Sequence, residues 1–222
     1  MYKQMYLFRG APSMSRSSFK EQIWEITEKA ACDASPCALS FTVTETNPPG
    51  ISVIPFGKQN MACVSVYRKT NTPLDPLIHS LECTEAFAVK EARPVDHQRK
   101  WNSGEATPGS CLLTLFRKKR SIDYPVFIKR WHEGHTPLTL RVHPIWHYSR
   151  NVVTKKLKSG TKWYDGIVEE HTRKPSDLLN PARFFGNPLT MLYHMLEVFV
   201  DVKSFIDYGS IETYLTKEYH IR

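Results

Sequence analysis

Residues 131–138 read Trp-His-Glu-Gly-His-Thr-Pro-Leu and hold two of the chain's nine histidines. Imidazole titrates near neutral pH, so a histidine here suits general acid/base work or the polarisation of a substrate oxygen. Gly134 and Pro137 predict that a helix stops at this point, and a helix C-terminus favours the protonated ring. Three roles are open to His135: a surface cap, a metal ligand, or a catalytic group. His132 and His135 stand three apart, a spacing compatible with ligation, yet the pattern is not His-Glu-x-x-His and Gly134 interrupts the turn. We therefore expect no metal site and no cofactor.

Two strand-like stretches, 146–155 and 164–172, carry the other polar candidates. Successive strand side chains point to opposite faces, so His147, Ser149 and Asn151 share one face while Trp146, Tyr148 and Val152 share the other. Ile167, Glu169 and His171 fall together in the same way. The candidates that could share one site are His135 for acid/base work and Tyr148, Asn151, Glu169, His171, His147 and Trp131 for binding substrate. Tyr148 needs a bulge or a strand end to join Asn151. A solvent-facing strand is the competing reading for Glu169 and His171.

These residues need a scaffold, and the chain repeats its element pattern. Tyr6-Leu-Phe-Arg9 matches Thr114-Leu-Phe-Arg117, 108 positions on, and Phe19 and Glu25 recur at the same spacing as Phe127 and Glu133. Glu85-Ala-Phe-Ala-Val-Lys-Glu91 resembles Glu212-Thr-Tyr-Leu-Thr-Lys-Glu218. Strands are expected at 3–9, 38–45, 61–68 and 85–92, then at 111–117, 146–155, 164–172 and 211–219. Helices are expected from Ser15 to Ala31, from Asp123 through Trp131, and around 73–82 and 188–205. The order β-α-β-β-α-β twice over predicts an α+β fold of two tandem ferredoxin-like repeats packed sheet-to-sheet. Residues 1–97 form the first, 98–109 a polar linker, and 110–222 the second, which carries the site.

At the 108-residue offset His135 corresponds to Thr27, Tyr148 to Ser40 and Asn151 to Val43, so the first repeat reads as degenerate. Composition sets outer limits. Among 222 residues, 41% hydrophobic and 23% charged is ordinary for a folded chain. No run reaches the ~18 apolar residues that span a bilayer. The opening MYKQMYLFRG reaches Arg9 before any long apolar stretch and does not read as a leader. Five cysteines without a C-x-x-C pair point to reduced thiols, and hence to a cytoplasmic setting. The net charge of +8 is scattered, and its densest group surrounds the Ser159-Gly160 turn. No nucleic-acid partner and no membrane are expected; a small-molecule substrate and a homodimer are.

Phe127-Ile-Lys-Arg-Trp-His-Glu-Gly-His135-Thr-Pro-Leu138, Tyr148-Ser-Arg-Asn151 and Tyr164-Asp-Gly-Ile-Val-Glu169 together resemble the EthD family, as do Phe205-Ile-Asp207 and Glu218. The resemblance spans about 110–222. It implies a dimeric α+β barrel, a catalytic role for His135 and the activities of that group: cofactor-independent lyases, decarboxylases, dehydratases, cyclases and oxygenases on small aromatic or polyketide-like metabolites. The expectation is a lyase of secondary metabolism using histidine acid/base chemistry. The alternatives are a cofactor-free monooxygenase or a non-catalytic ligand-binding or stress-associated barrel.

Overall fold

The computed structural model describes residues 1–34, 36–74, 77, 79, 83–160 and 162–222. Eight strands appear in chain order: β1 (Tyr2–Arg9), β2 (Ala38–Val43), β3 (Met61–Arg68), β4 (Cys83–Val95), β5 (Ser110–Phe116), β6 (Ile145–Lys156), β7 (Gly166–Thr172) and β8 (Glu212–His220). They lie close to the positions that alternation and β-branched content predict. The helices are α1 (Arg16–Ala34), α2 (Tyr124–Lys129), α3 (Thr136–Val142), α4 (Pro175–Leu179), α5 (Pro181–Phe184) and α6 (Met191–Phe205). The helix expected around 73–82 falls largely outside the described residues.

The strands close into one antiparallel barrel in the order β1-β3-β2-β8-β5-β7-β6-β4. This corrects the expectation of two ferredoxin-like repeats packed sheet-to-sheet. β2 pairs with β8 and β4 with β6, so the two groups of four strands join edge to edge at both seams. The physical reason is the edge itself. Two separate sheets would leave four rows of backbone N–H and C=O groups unpaired, and closure brings these edges together in pairs. The polar segment 98–109 runs along β8, where the Thr107 amide donates to the Glu218 carbonyl at 2.8 Å.

Strand alternation now sorts side chains into the bore and the outer wall. Met5, Leu7, Cys63, Phe87, Leu113 and Ile167 fill the middle of the bore. Outside, α1 covers the first strands through Phe19, Ile23, Phe41 and Val64. Over the later strands, Phe116, Phe127, Trp131, Tyr148 and Phe205 form an aromatic cluster. Gly166 makes that cluster possible, because a Cβ there would sit 2.4 Å from the Phe116 ring and 2.8 Å from Trp131.

A second correction concerns Gly134 and Pro137. The helix does not stop there. Residues Arg130–His135 form a π-helical turn and α3 continues to Val142. Pro137 cannot donate a backbone hydrogen bond, and the wider turn absorbs that loss while the Thr136 amide reaches back to the Trp131 carbonyl.

Candidate functional site

Between the outer wall of β5, β7 and β6 and helices α3, α5 and α6 lies a cleft of about 550 Å³. Its walls are mainly apolar and aromatic, including Phe116, Trp131, Phe184, Phe185 and Phe199. A few polar groups converge on it: His135, Thr139, His143, Tyr148 and Glu170. An apolar pocket with a small set of placed polar groups is the usual form of a small-molecule site.

His135 sits at the end of the π-helical turn. Its Nδ1 lies 2.7 Å from Asp201 Oδ2 on α6, and its Nε2 lies 3.2 Å from Thr139 Oγ1. A carboxylate can only accept, so Nδ1 carries the proton, and Thr139 Oγ1 stands within hydrogen-bond reach of Nε2. Asp201 thus fixes both tautomer and ring orientation, the arrangement that prepares an imidazole for proton exchange. The partner comes from α6, so the ring owes nothing to a helix terminus.

Glu170 is the residue that the sequence reading passed over. It projects from β7 toward the helices, directly opposite Tyr148 on β6. The side chain is buried, and among the described residues it has no hydrogen-bond or ion-pair partner. Burial alone pushes its carboxyl up to about 7. Beside it the buried Tyr148 hydroxyl is pushed up by burial and by the neighbouring carboxyl, which favours the neutral phenol as a donor. His143 stacks on Phe184 at 3.9 Å, gives its Nδ1 proton to the Phe184 carbonyl at 2.8 Å, and is held down at about 4 by burial. Its ring therefore stays neutral. The visible signal for Glu170 was parity: it follows Val168 on the face opposite Glu169, where a lone acid is out of pattern.

The structure divides the residues expected to form one site. His135, Trp131 and Tyr148 line the cleft. His147, Asn151, Glu169 and His171 point into the bore, on the other side of the sheet, and no bulge carries Tyr148 over to Asn151. Asn151 and Glu169 belong to a buried network around Lys3. The Lys3 ammonium lies 2.8 Å from Glu91 and 3.2 Å from Glu169, while Tyr67 and Ser149 donate to Glu91 at 2.7 and 2.9 Å. Asn151 donates to the Ile167 carbonyl at 3.1 Å. Lys3 and its hydrogen bonds bring Glu91 down to about 2 despite burial. Arg93 adds a second cation at 3.2 Å from Glu91, so two basic and two acidic groups balance around a smaller cavity of the bore.

No protein-family model matches the chain, and no curated protein matches it in sequence. Solved structures do share its fold. An anthrone oxidase-like protein superposes with a TM-score of 0.60 at 10% identity, over 99% of this chain and 93% of its own. A candidate monooxygenase from Fusobacterium nucleatum superposes with a TM-score of 0.52 at 8% identity, over 100% of this chain and 92% of its own. No described helix is long and apolar enough to cross a membrane.

Proposed function

We propose that the chain is an oxygenase that needs no organic cofactor and oxidises a small, enolisable aromatic substrate by proton abstraction in the cleft. The observation that carries this reading is Glu170: an unpaired carboxyl in an apolar cleft, raised to about 7. A base with that affinity is matched to a weakly acidic carbon acid at neutral pH. The aromatic walls suit a flat polycyclic ring system.

Glu170 takes the proton from the activated CH2 carbon. Tyr148 donates to the substrate oxygen where negative charge develops, and His135, its Nδ1 proton held by Asp201, offers Nε2 as the acceptor for a substrate hydroxyl proton. The resulting carbanion is electron-rich enough to reduce dioxygen, giving a hydroperoxide at the same carbon. Loss of water then leaves a ketone, so that CH2 and O2 become C=O and H2O. The fold shared with an anthrone oxidase-like protein and a candidate monooxygenase supports this chemistry over the lyase expectation.

The test is oxygen uptake with anthrone as probe, followed by quinone absorbance. Consumption of one O2 per quinone is expected, with Glu170→Gln slower by at least ~100-fold. Turnover that proceeds equally under argon, with release of CO2 or water only, would replace the oxygenase reading with a lyase.

A further inference from the structure

The bore ends, where β4 finishes and β6 begins, in a histidine cluster that the proton-transfer chemistry does not use. Antiparallel pairing sets Val95 opposite Tyr148, which brings the next residues, Asp96 and His97, against His147. The ring centroids of His97 and His147 are 4.5 Å apart, and His171 lies 5.1 Å beyond His147. Trp101 stacks on His97 at 5.1 Å and 11°, and Trp146 closes its other side at 4.6 Å.

We propose that Asp96, His97 and His147 bind a divalent first-row transition ion of the zinc type at this mouth of the barrel. One ligand atom from each lies within 4.8 Å of the others. Ligand atoms on a tetrahedral ion with ordinary bond lengths stand roughly 3.4 Å apart. The remaining closure falls to Asp96, whose side chain is 53% exposed and follows the end of β4. Its Oδ1 is already 3.5 Å from His147 Nδ1, while Arg93 engages the other oxygen, Oδ2, at 3.5 Å. The His97 amide donates to Oδ1 at 2.9 Å and orients the carboxylate.

The second, independent observation is the set of idle ring nitrogens. His147 is buried, and among the described residues its Nδ1 has no hydrogen-bond partner; His97 is half-buried, and its Nδ1, itself shielded from solvent, has none either. A polar atom kept from water without a partner costs stability, and a bound cation removes that cost at both rings. Behind them Glu218 takes a hydrogen bond from Thr107 at 2.8 Å and faces His220 at 3.3 Å and His171 at 3.8 Å. Its buried negative charge adds to the attraction for a cation. Two imidazoles and one carboxylate suit borderline ions; calcium and magnesium prefer all-oxygen sites. Three protein ligands leave a position open to water or a small anion.

The experiment is titration of the chelator-treated full chain with ZnCl2 by calorimetry, and with CoCl2 by visible absorption. One equivalent of zinc and a tetrahedral cobalt spectrum are expected. Asp96→Asn and His97→Ala, both at the accessible side, should each weaken binding at least ~10-fold with far-UV circular dichroism unchanged. His147→Ala should do the same, and His194→Ala, on α6 against the Phe185 carbonyl and outside the bore, should not. Absence of zinc heat and cobalt bands in the native chain would overturn the site, as would binding retained in both Asp96→Asn and His97→Ala, or lost equally in His194→Ala.

Discussion

Glu170 holds its place against the interest of the fold. A carboxyl whose pKa is raised to about 7 in the folded state, from roughly 4.3 when unfolded, binds its proton more tightly in the native protein. Between those values the unfolded chain releases the proton first, so this group lowers stability progressively as pH rises. The full penalty is present above pH 7. By linkage it is on the order of 3 kcal/mol, the unfavourable energy of a buried unpaired carboxylate. Glu170→Gln is therefore expected to raise the unfolding midpoint at pH 8 and to change it little at pH 4, as read by denaturant titration. The same variant should abolish the rise of kcat/KM with pH through about 7. A variant both slower and more stable is the pattern of a residue kept for chemistry; one that is less stable at pH 8 would make Glu170 a structural group.

At the scale of elements, the strands were legible because their alternation is strong. β3 lies at Met61–Arg68, where the run of Met, Val, Cys and Tyr places it, and α6 ends at Phe205 as expected. The site was only half legible. Parity sorted Tyr148 from Asn151 correctly, but parity cannot say which face meets helices and which meets the bore. The polar face of β6 and β7 was expected to wall the pocket. It builds the Lys3 network and, with His147, Ser149 and Glu169, lines a smaller cavity of about 340 Å³ in the bore, while the apolar cleft with Glu170 forms on the opposite face. The π-helical turn was hidden too, because Gly134 and Pro137 read locally as stops and only packing against α6 carries the helix past them. The network makes its own prediction. Lys3→Met leaves buried Glu169 without its cation, while Glu91 keeps Arg93 at 3.2 Å, and should destabilise the fold by about 3–5 kcal/mol in chemical denaturation. A loss below ~1 kcal/mol would mean that water already reaches these carboxylates.

Across the whole molecule, closure decides behaviour. Sequence similarity between the two groups of strands could not reveal how their edges meet, since pairing across β2–β8 and β4–β6 involves residues more than 50 positions apart. Because each group supplies the other's missing edges, neither has a complete sheet alone. Thermal unfolding is expected to be a single transition, coincident by far-UV circular dichroism and tryptophan fluorescence. Two resolved transitions, one for each group of strands, would show that they fold as separate units. The closed wall also keeps the outer cleft apart from the bore, so proton transfer at Glu170 and cation binding at His147 are expected to be separable by mutation.

The most direct test of the account is the titration of Glu170 itself, followed by the carbonyl carbon signal of 13C-labelled glutamate and assigned by its disappearance in Glu170→Gln. It needs no substrate. A midpoint near 7 is expected for this one glutamate. A midpoint in the ordinary carboxylate range, roughly 4–5, would mean that the side chain is hydrated or paired in solution, and would contradict its assignment as the base.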